Sequence, residues 1–120
     1  MSRELDIELV ELLGYKVTWI DQYISEFMES TKYKKPVINY IDKYDYDPIP
    51  YYHKDGNDML ELDIIMREKG FYLRYENDKD NEHIAIYKRR NEVHINDKPS
   101  VGRTMPEAVA KAAREVLRKQ

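Results

Sequence analysis

The chain has no cysteine. That removes disulfides, thiolate nucleophiles and the commonest structural zinc sites, and it fits a reducing compartment, which makes cytoplasm the expected location. Glycine is scarce as well. Gly14, Gly56, Gly70 and Gly102 stand singly, so no glycine-rich loop is available to cradle a phosphate, and nucleotide hydrolysis has no visible machinery. No uninterrupted apolar run approaches the ~18 residues that cross a bilayer. The amino end runs into Ser2-Arg3-Glu4-Leu5-Asp6 rather than a signal-peptide pattern, so neither secretion nor a membrane span is expected. Charge of one sign is not in excess either. Lys and Arg number 20 against 23 Asp and Glu, for a net charge of -3, and the two signs are interspersed. Duplex nucleic acid asks for a basic tract to neutralise phosphates, so general nucleic-acid binding is disfavoured.

What is present is a chain of 120 residues, the size of a single domain with one core. Charged residues make up 36%, against roughly 25% in an ordinary soluble domain, so the surface must be densely charged. Tyrosine is the compositional outlier, with 11 copies against 2 Phe and 1 Trp. Six of them, Tyr33, Tyr40, Tyr44, Tyr46, Tyr51 and Tyr52, fall within one twenty-residue stretch. Tyrosine packs its ring while leaving its hydroxyl in water, which suits interfaces and ligand pockets. It equally suits a loop laid over a core of modest size.

Leu5, Leu9, Leu12 and Leu13 have helical spacing behind Ser2 as N-cap, and Gly14 ends that helix. Tyr15 to Trp19 reads as extended, whereas Ile20, Ile24, Phe27 and Met28 return to helical spacing and predict a short helix from about Asp21 to Glu29. Residues 20–56 form a Tyr- and Lys-rich insertion or binding loop, with an edge strand expected over Val37–Ile41 and an irregular Pro48-Ile49-Pro50. Asp58 and Glu61 have capping-box spacing ahead of the stripe Met59, Leu62, Ile65, Met66, closed by Gly70. Phe71–Glu76, His83–Lys88 and Glu92–Asn96 read as an antiparallel meander. Counting by twos sets Phe71, Leu73, Tyr75, Ile84, Ile86, Val93 and Ile95 on one face and Tyr72, Arg74, Ala85, Tyr87 and His94 on the other. Thr104-Met105-Pro106-Glu107 is a second capping box, opening a helix with the stripe Met105, Val109, Ala112, Ala113 and Val116.

Three blocks, MSRELDIELVELLGYKVTW, IPYYHKDGNDMLELDIIMREKGFYLRY and GRTMPEAVAKAAREVLRK, together resemble the phage ABA-sandwich domain found in small proteins of Bacillus phages and prophages. They cover a little over half of the chain and contain no catalytic signature. The resemblance implies an α+β single domain in which an antiparallel meander carries helices on both faces, an α/β/α sandwich, and a phage or prophage origin. It attaches no enzymatic role to the fold. The chain departs from the family's compact form between Ile20 and Asp47, so nothing in that segment is carried over.

Candidate chemistry is sparse. His53, His83 and His94 lack helical i, i+4 pairing and a neighbouring cysteine, so no metal site is expected. Asp78-Lys79-Asp80-Asn81-Glu82 has the composition of a calcium loop, but lacks the turn glycine and places Arg89 where the bidentate glutamate belongs; it reads as a hairpin turn. Asp45 and Asp47 lie in a charged segment with nothing to shift their titration. A more specific set is aromatic and basic: Trp19, Tyr51, Tyr52, Tyr72, Arg74, Tyr87, His94 and Arg103. Rings can stack a base while Arg grips a phosphate, although Tyr and Arg stems also suit a sheet face beneath a helix. These readings lead to a phage-encoded, non-catalytic counter-defence protein of the bacterial host cytoplasm that needs no cofactor. It would sequester a small nucleotide immune signal, as a homo-oligomer, since a small domain encloses a charged ligand best between subunits. The alternative is a protein-interaction module that inhibits a host defence or regulatory protein through the Tyr-rich surface.

Overall fold

The computed structural model describes residues 3–26, 29–39, 46–77, 82–90 and 98–120, with the backbone alone over 22–26 and 29–33. It shows the expected α+β single domain, with three helices and two three-stranded antiparallel sheets among the described residues. No described helix is long and apolar enough to cross a membrane.

Helix α1 (Glu4–Leu12) buries Leu5, Leu9 and Val10, and Leu12 and Leu13 pack partly against the same core. Arg3 occupies the N-cap position without a side-chain cap; Ser2 lies outside the described residues. Gly14 ends the helix at φ +97, a left-handed conformation that a Cβ would strain.

The helix expected over Asp21–Glu29 does not form. Strand β1 (Lys16–Glu26) pairs antiparallel with β2 (Glu29–Asn39), from Lys16 opposite Asn39 to Glu26 opposite Glu29. Helical spacing of Ile20 and Ile24 competes here with β-branched and aromatic residues on both strands, Val17, Thr18, Trp19, Val37 and Ile38, and long-range pairing wins. The edge strand expected from Val37 therefore begins eight residues earlier and is no edge: it pairs on both sides and is the middle strand of its sheet. Strand β3 (Tyr46–Pro48) pairs with Val37 to Asn39, so Pro36 lies one residue beyond the last β2–β3 pair and its missing N–H is not needed there; Pro48, expected to be irregular, instead ends this edge strand opposite Val37, where a proline is tolerated.

Helix α2 (Gly56–Glu68) starts before the expected capping box. Its N-cap is Asp55, whose carboxylate accepts from the N–H of Asn57 at 2.8 Å and of Asp58 at 3.1 Å. Asp58 instead accepts from the N–H of Tyr51 at 2.8 Å. Met59, Leu62 and Met66 enter the core as the stripe requires.

The second sheet runs in the order β4 (Phe71–Asn77), β5 (His83–Arg89), β6 (Ser100–Gly102). The expected third strand, Glu92–Asn96, lies outside the described residues. Helix α3 (Met105–Arg118) has the expected Thr104 cap, accepting from Glu107 N–H at 3.3 Å, and Pro106 in its first turn. It buries Ala108, Val109, Ala110, Ala112, Ala113 and Leu117. Small side chains let it lie close to the sheet. A Cβ on Gly102 would stand 2.6 Å from the backbone nitrogen of Ala108, so only glycine permits that approach.

The register corrects the expected assignment of sheet faces. Leu73 lies opposite Tyr87 and Tyr75 opposite Ala85, so Phe71, Leu73, Tyr75, Ala85 and Tyr87 share the inner face beneath α2 and α3. Tyr72 lies opposite Lys88 and Arg74 opposite Ile86, on the outer face. The hairpin turn expected over residues 78–82 lies, apart from Glu82, outside the described residues. A one-residue shift exchanges every side chain between faces.

On the inner face the Tyr87 hydroxyl donates to Asp63 Oδ1 at 2.8 Å, and Asp63 Oδ2 pairs with Arg67 at 3.0 Å. Burial and the Asp63 carboxylate push the Tyr87 phenol well above its ordinary range. Tyr87→Phe should therefore cost about 2 kcal/mol, the usual loss for a hydrogen bond to a charged group, measured by urea denaturation at neutral pH. The folded protein holds this proton longer than the unfolded chain, so stability should be insensitive to the phenol below about pH 10 and fall as pH rises further. In the Phe variant that alkaline decline should be shallower.

Candidate functional site

Asp6 follows Leu5 on the buried side of α1 and has no solvent exposure. A buried carboxylate must be met by donors. Oδ2 pairs with Arg3 Nη1 at 2.8 Å and with His53 Nδ1 at 2.6 Å, and Oδ1 accepts from the His53 backbone N–H at 3.1 Å. The Arg3 guanidinium also donates to the carbonyl oxygens of Pro50, at 3.0 Å, and Ile49, and it lies 3.6 Å over the Tyr51 ring. This is a latch that docks residues 49–53 on α1. His53 has one ring nitrogen committed to Asp6, and among the described residues no cluster of three His, Asp or Glu is placed to hold a metal ion.

The residues singled out from the sequence separate into several places. Tyr51 is half exposed under Arg3, while Tyr52 beside it is turned into the core, where burial, with Tyr15 and the carboxylates of Asp58, Glu61 and Asp6, pushes its phenol up to about 12. Tyr87 is core, with its hydroxyl spent on Asp63. Trp19 projects from β1 beside α1. Arg103 is exposed just past Gly102, which pairs with His83 at the opposite end of β5 from Lys88, about 17 Å away along the strand. His94 lies outside the described residues. Tyr72 and Arg74 are the two members of the set that the structure brings together.

They lie on the outer face of the second sheet. Tyr72 is 47% exposed and has Lys88 directly opposite; Arg74 follows on the same face with its side chain 73% exposed. With Arg90 these residues line a shallow depression of about 580 Å³, and no described carboxylate lines it. A second depression of about 260 Å³ continues along the face past Arg74, Lys88, Ile84 and Ile86. Glu76 approaches Arg74 to 3.9 Å, but an exposed pair is worth at most about 1 kcal/mol and does not tie up the guanidinium. Arg89, also exposed, lies over the Phe71 ring at 4.9 Å and borders the same depression as Tyr72.

The cross-strand geometry thus offers one aromatic ring and four cationic groups, Arg74, Lys88, Arg89 and Arg90, to the same volume. A guanidinium can fork a phosphate, an ammonium adds a point charge, and a phenol ring supports a flat base. Lys88 and Arg90 were missed from the sequence because the faces were paired one residue out of phase. The signal that finds them is Ala85, which is small enough to sit beneath the alanines of α3 and so fixes which residues of β5 point inward. Asp6 and His53 gave no signal, being joined only in three dimensions. No family model matches the chain, and neither does any curated protein or solved structure.

Removing one partner of a buried ion pair leaves the other uncompensated. Asp6→Ala should lower stability by roughly 3 kcal/mol, read as a drop in the urea midpoint. A loss below about 1 kcal/mol would show that the latch contributes little to the fold.

Proposed function

We propose that the chain is a non-catalytic binding protein that captures a small nucleotide-type anion on the outer face of its second sheet. The observation that carries this reading is the cluster of exposed Tyr72, Arg74 and Arg90 with half-buried Lys88 around one depression free of described carboxylates. The phage ABA-sandwich resemblance narrows the ligand to a nucleotide immune signal of a bacterial host, and the role to sequestration in that host's cytoplasm. A single open face leaves half of such a ligand in water. Two copies meeting over it would enclose the ligand, which favours a homo-oligomer.

Titration calorimetry with a panel of cyclic and ADP-ribose-type nucleotides tests the reading. One of them should bind with a dissociation constant near or below about 1 μM, corresponding to about 8 kcal/mol. Arg74→Ala and Tyr72→Ala should each weaken binding at least about tenfold, and the ligand should be recovered chemically unchanged after denaturation. No heat with any member of the panel overturns the proposal.

A second reading, a protein-interaction module acting through the Tyr-rich stretch, draws on Tyr46 and Tyr51, both about half exposed. Tyr33, Tyr40 and Tyr44 have no described side chains. If a host protein is the target, substituting Tyr46 and Tyr51 should abolish its stoichiometric recovery while nucleotide titrations stay silent.

A further inference from the structure

A second surface lies away from the Tyr72 face. Trp19 stands on β1 opposite Pro36, on the same sheet face as Val17 and Ile38, which pack with the core. The apolar surface therefore continues outward from Val17 to an indole that is 54% exposed. Ile7 and Leu12 of α1 extend it, and the three side chains form a shallow groove of about 450 Å³. α1 packs on α3, and α3 on the inner sheet face, so this groove and the Tyr72 depression are separate.

The rest of the groove lining is acidic: Glu4, Glu8 and Glu11, with no described cation among them. Glu8 is engaged, because Arg118 forks it with Nε at 2.7 Å and Nη2 at 2.9 Å. Glu4 and Glu11 are exposed and in no ion pair among the described residues. Glu4 suits the positive start of the helix dipole. Glu11 does not: it stands near the end of α1, where carbonyls concentrate negative charge, and that last turn has no basic residue. An unpaired carboxylate in that position is unfavourable for the helix by itself, and a cation supplied from outside would relieve it. The two carboxylates are two helical turns apart, about 10 Å along the axis.

We propose that this groove docks an amphipathic basic segment of a partner protein, with apolar side chains against Trp19, Ile7 and Leu12 and Lys or Arg residues on Glu4 and Glu11. A helical segment meets both carboxylates with basic residues seven apart on its flank. Exposed tryptophan ringed by polar groups is the usual centre of such an interface. Phosphate ligands are repelled by the rim. A second copy of this chain fits poorly, since its own exposed apolar pair on a helix, Leu60 and Ile64 of α2, is flanked by Glu61 and Glu68, and the one cation of that helix, Arg67, is already paired with Asp63.

Trp19 is the single tryptophan, so its emission reports the groove directly. The probe is a synthetic Leu/Lys amphipathic helix with lysines seven apart, compared with the same peptide carrying Glu for every Lys. The Lys peptide should shift Trp19 emission to the blue and saturate, and the Glu peptide should not. The double variant Glu4→Gln, Glu11→Gln changes only exposed groups, and it should weaken the Lys peptide at least about fivefold. Three results would each overturn the proposal: no shift with the Lys peptide, equal binding of both peptides, or an emission shift of the chain alone that tracks dimer formation in sedimentation.

Discussion

The Asp6 carboxylate is wholly enclosed, and the middle of the chain takes its path from the donors that meet it. Strand β3 ends at Pro48, so the carbonyl groups of Ile49 and Pro50 lie past its ladder and need donors from elsewhere. Arg3 solves this from the other side, with one fork shared between Asp6 and the carbonyls of Ile49 and Pro50. His53 closes the loop on the same carboxylate. Once residues 49–53 are held, Ile49 and Tyr52 fall into the core and Asp55 is in place to cap α2. Helix α2 in turn presents Asp63 to Tyr87 and fixes the inner face of the second sheet.

That inner face determines what the outer face can offer. Strand side chains alternate, so burying Ala85 and Tyr87 under the helices commits Lys88 to the outside, next to Tyr72 and Arg74. The nearly balanced net charge of -3 conceals a segregation that only the fold reveals. Cations gather on one side of the molecule, around Tyr72, and carboxylates on another, around Trp19. At physiological salt charges are screened over about 8 Å, so the two patches act on different partners rather than cancelling.

Elements with redundant local signals were legible in the sequence. α3 has a cap, a first-turn proline and an alanine stripe that agree, and α2 has its apolar stripe and closing glycine, although its true cap, Asp55, was overshadowed by Asp58 and Glu61. The β1–β2 hairpin was not legible, because Ile20 and Ile24 fit a helix as well as a strand and only the pairing with β2 decides. Sheet parity failed for the same kind of reason: only the pairing of β5 with β4 decides it, and nothing in Ile84 or Ile86 announces which way they point. Of the candidate site, Tyr72 and Arg74 were found, whereas Lys88 and Arg90 required the register, and the Asp6–His53 contact joins residues 47 positions apart with no shared motif.

The fork between Arg118 and Glu8 spans 110 residues, and α1 packs chiefly on α3. During synthesis at about 5–20 residues per second, the first helix therefore waits on the order of 5–20 s for its main partner to be made. Over that interval Leu5, Leu9 and Val10 have no core to enter, and Asp6 has no His53 until the middle of the chain has followed. Until then α1, with four carboxylates among its nine residues and no basic residue in its last turn, is too short and too unbalanced in charge to persist in water. The rate at which ribosomes traverse the chain then sets how long that segment waits without its helix.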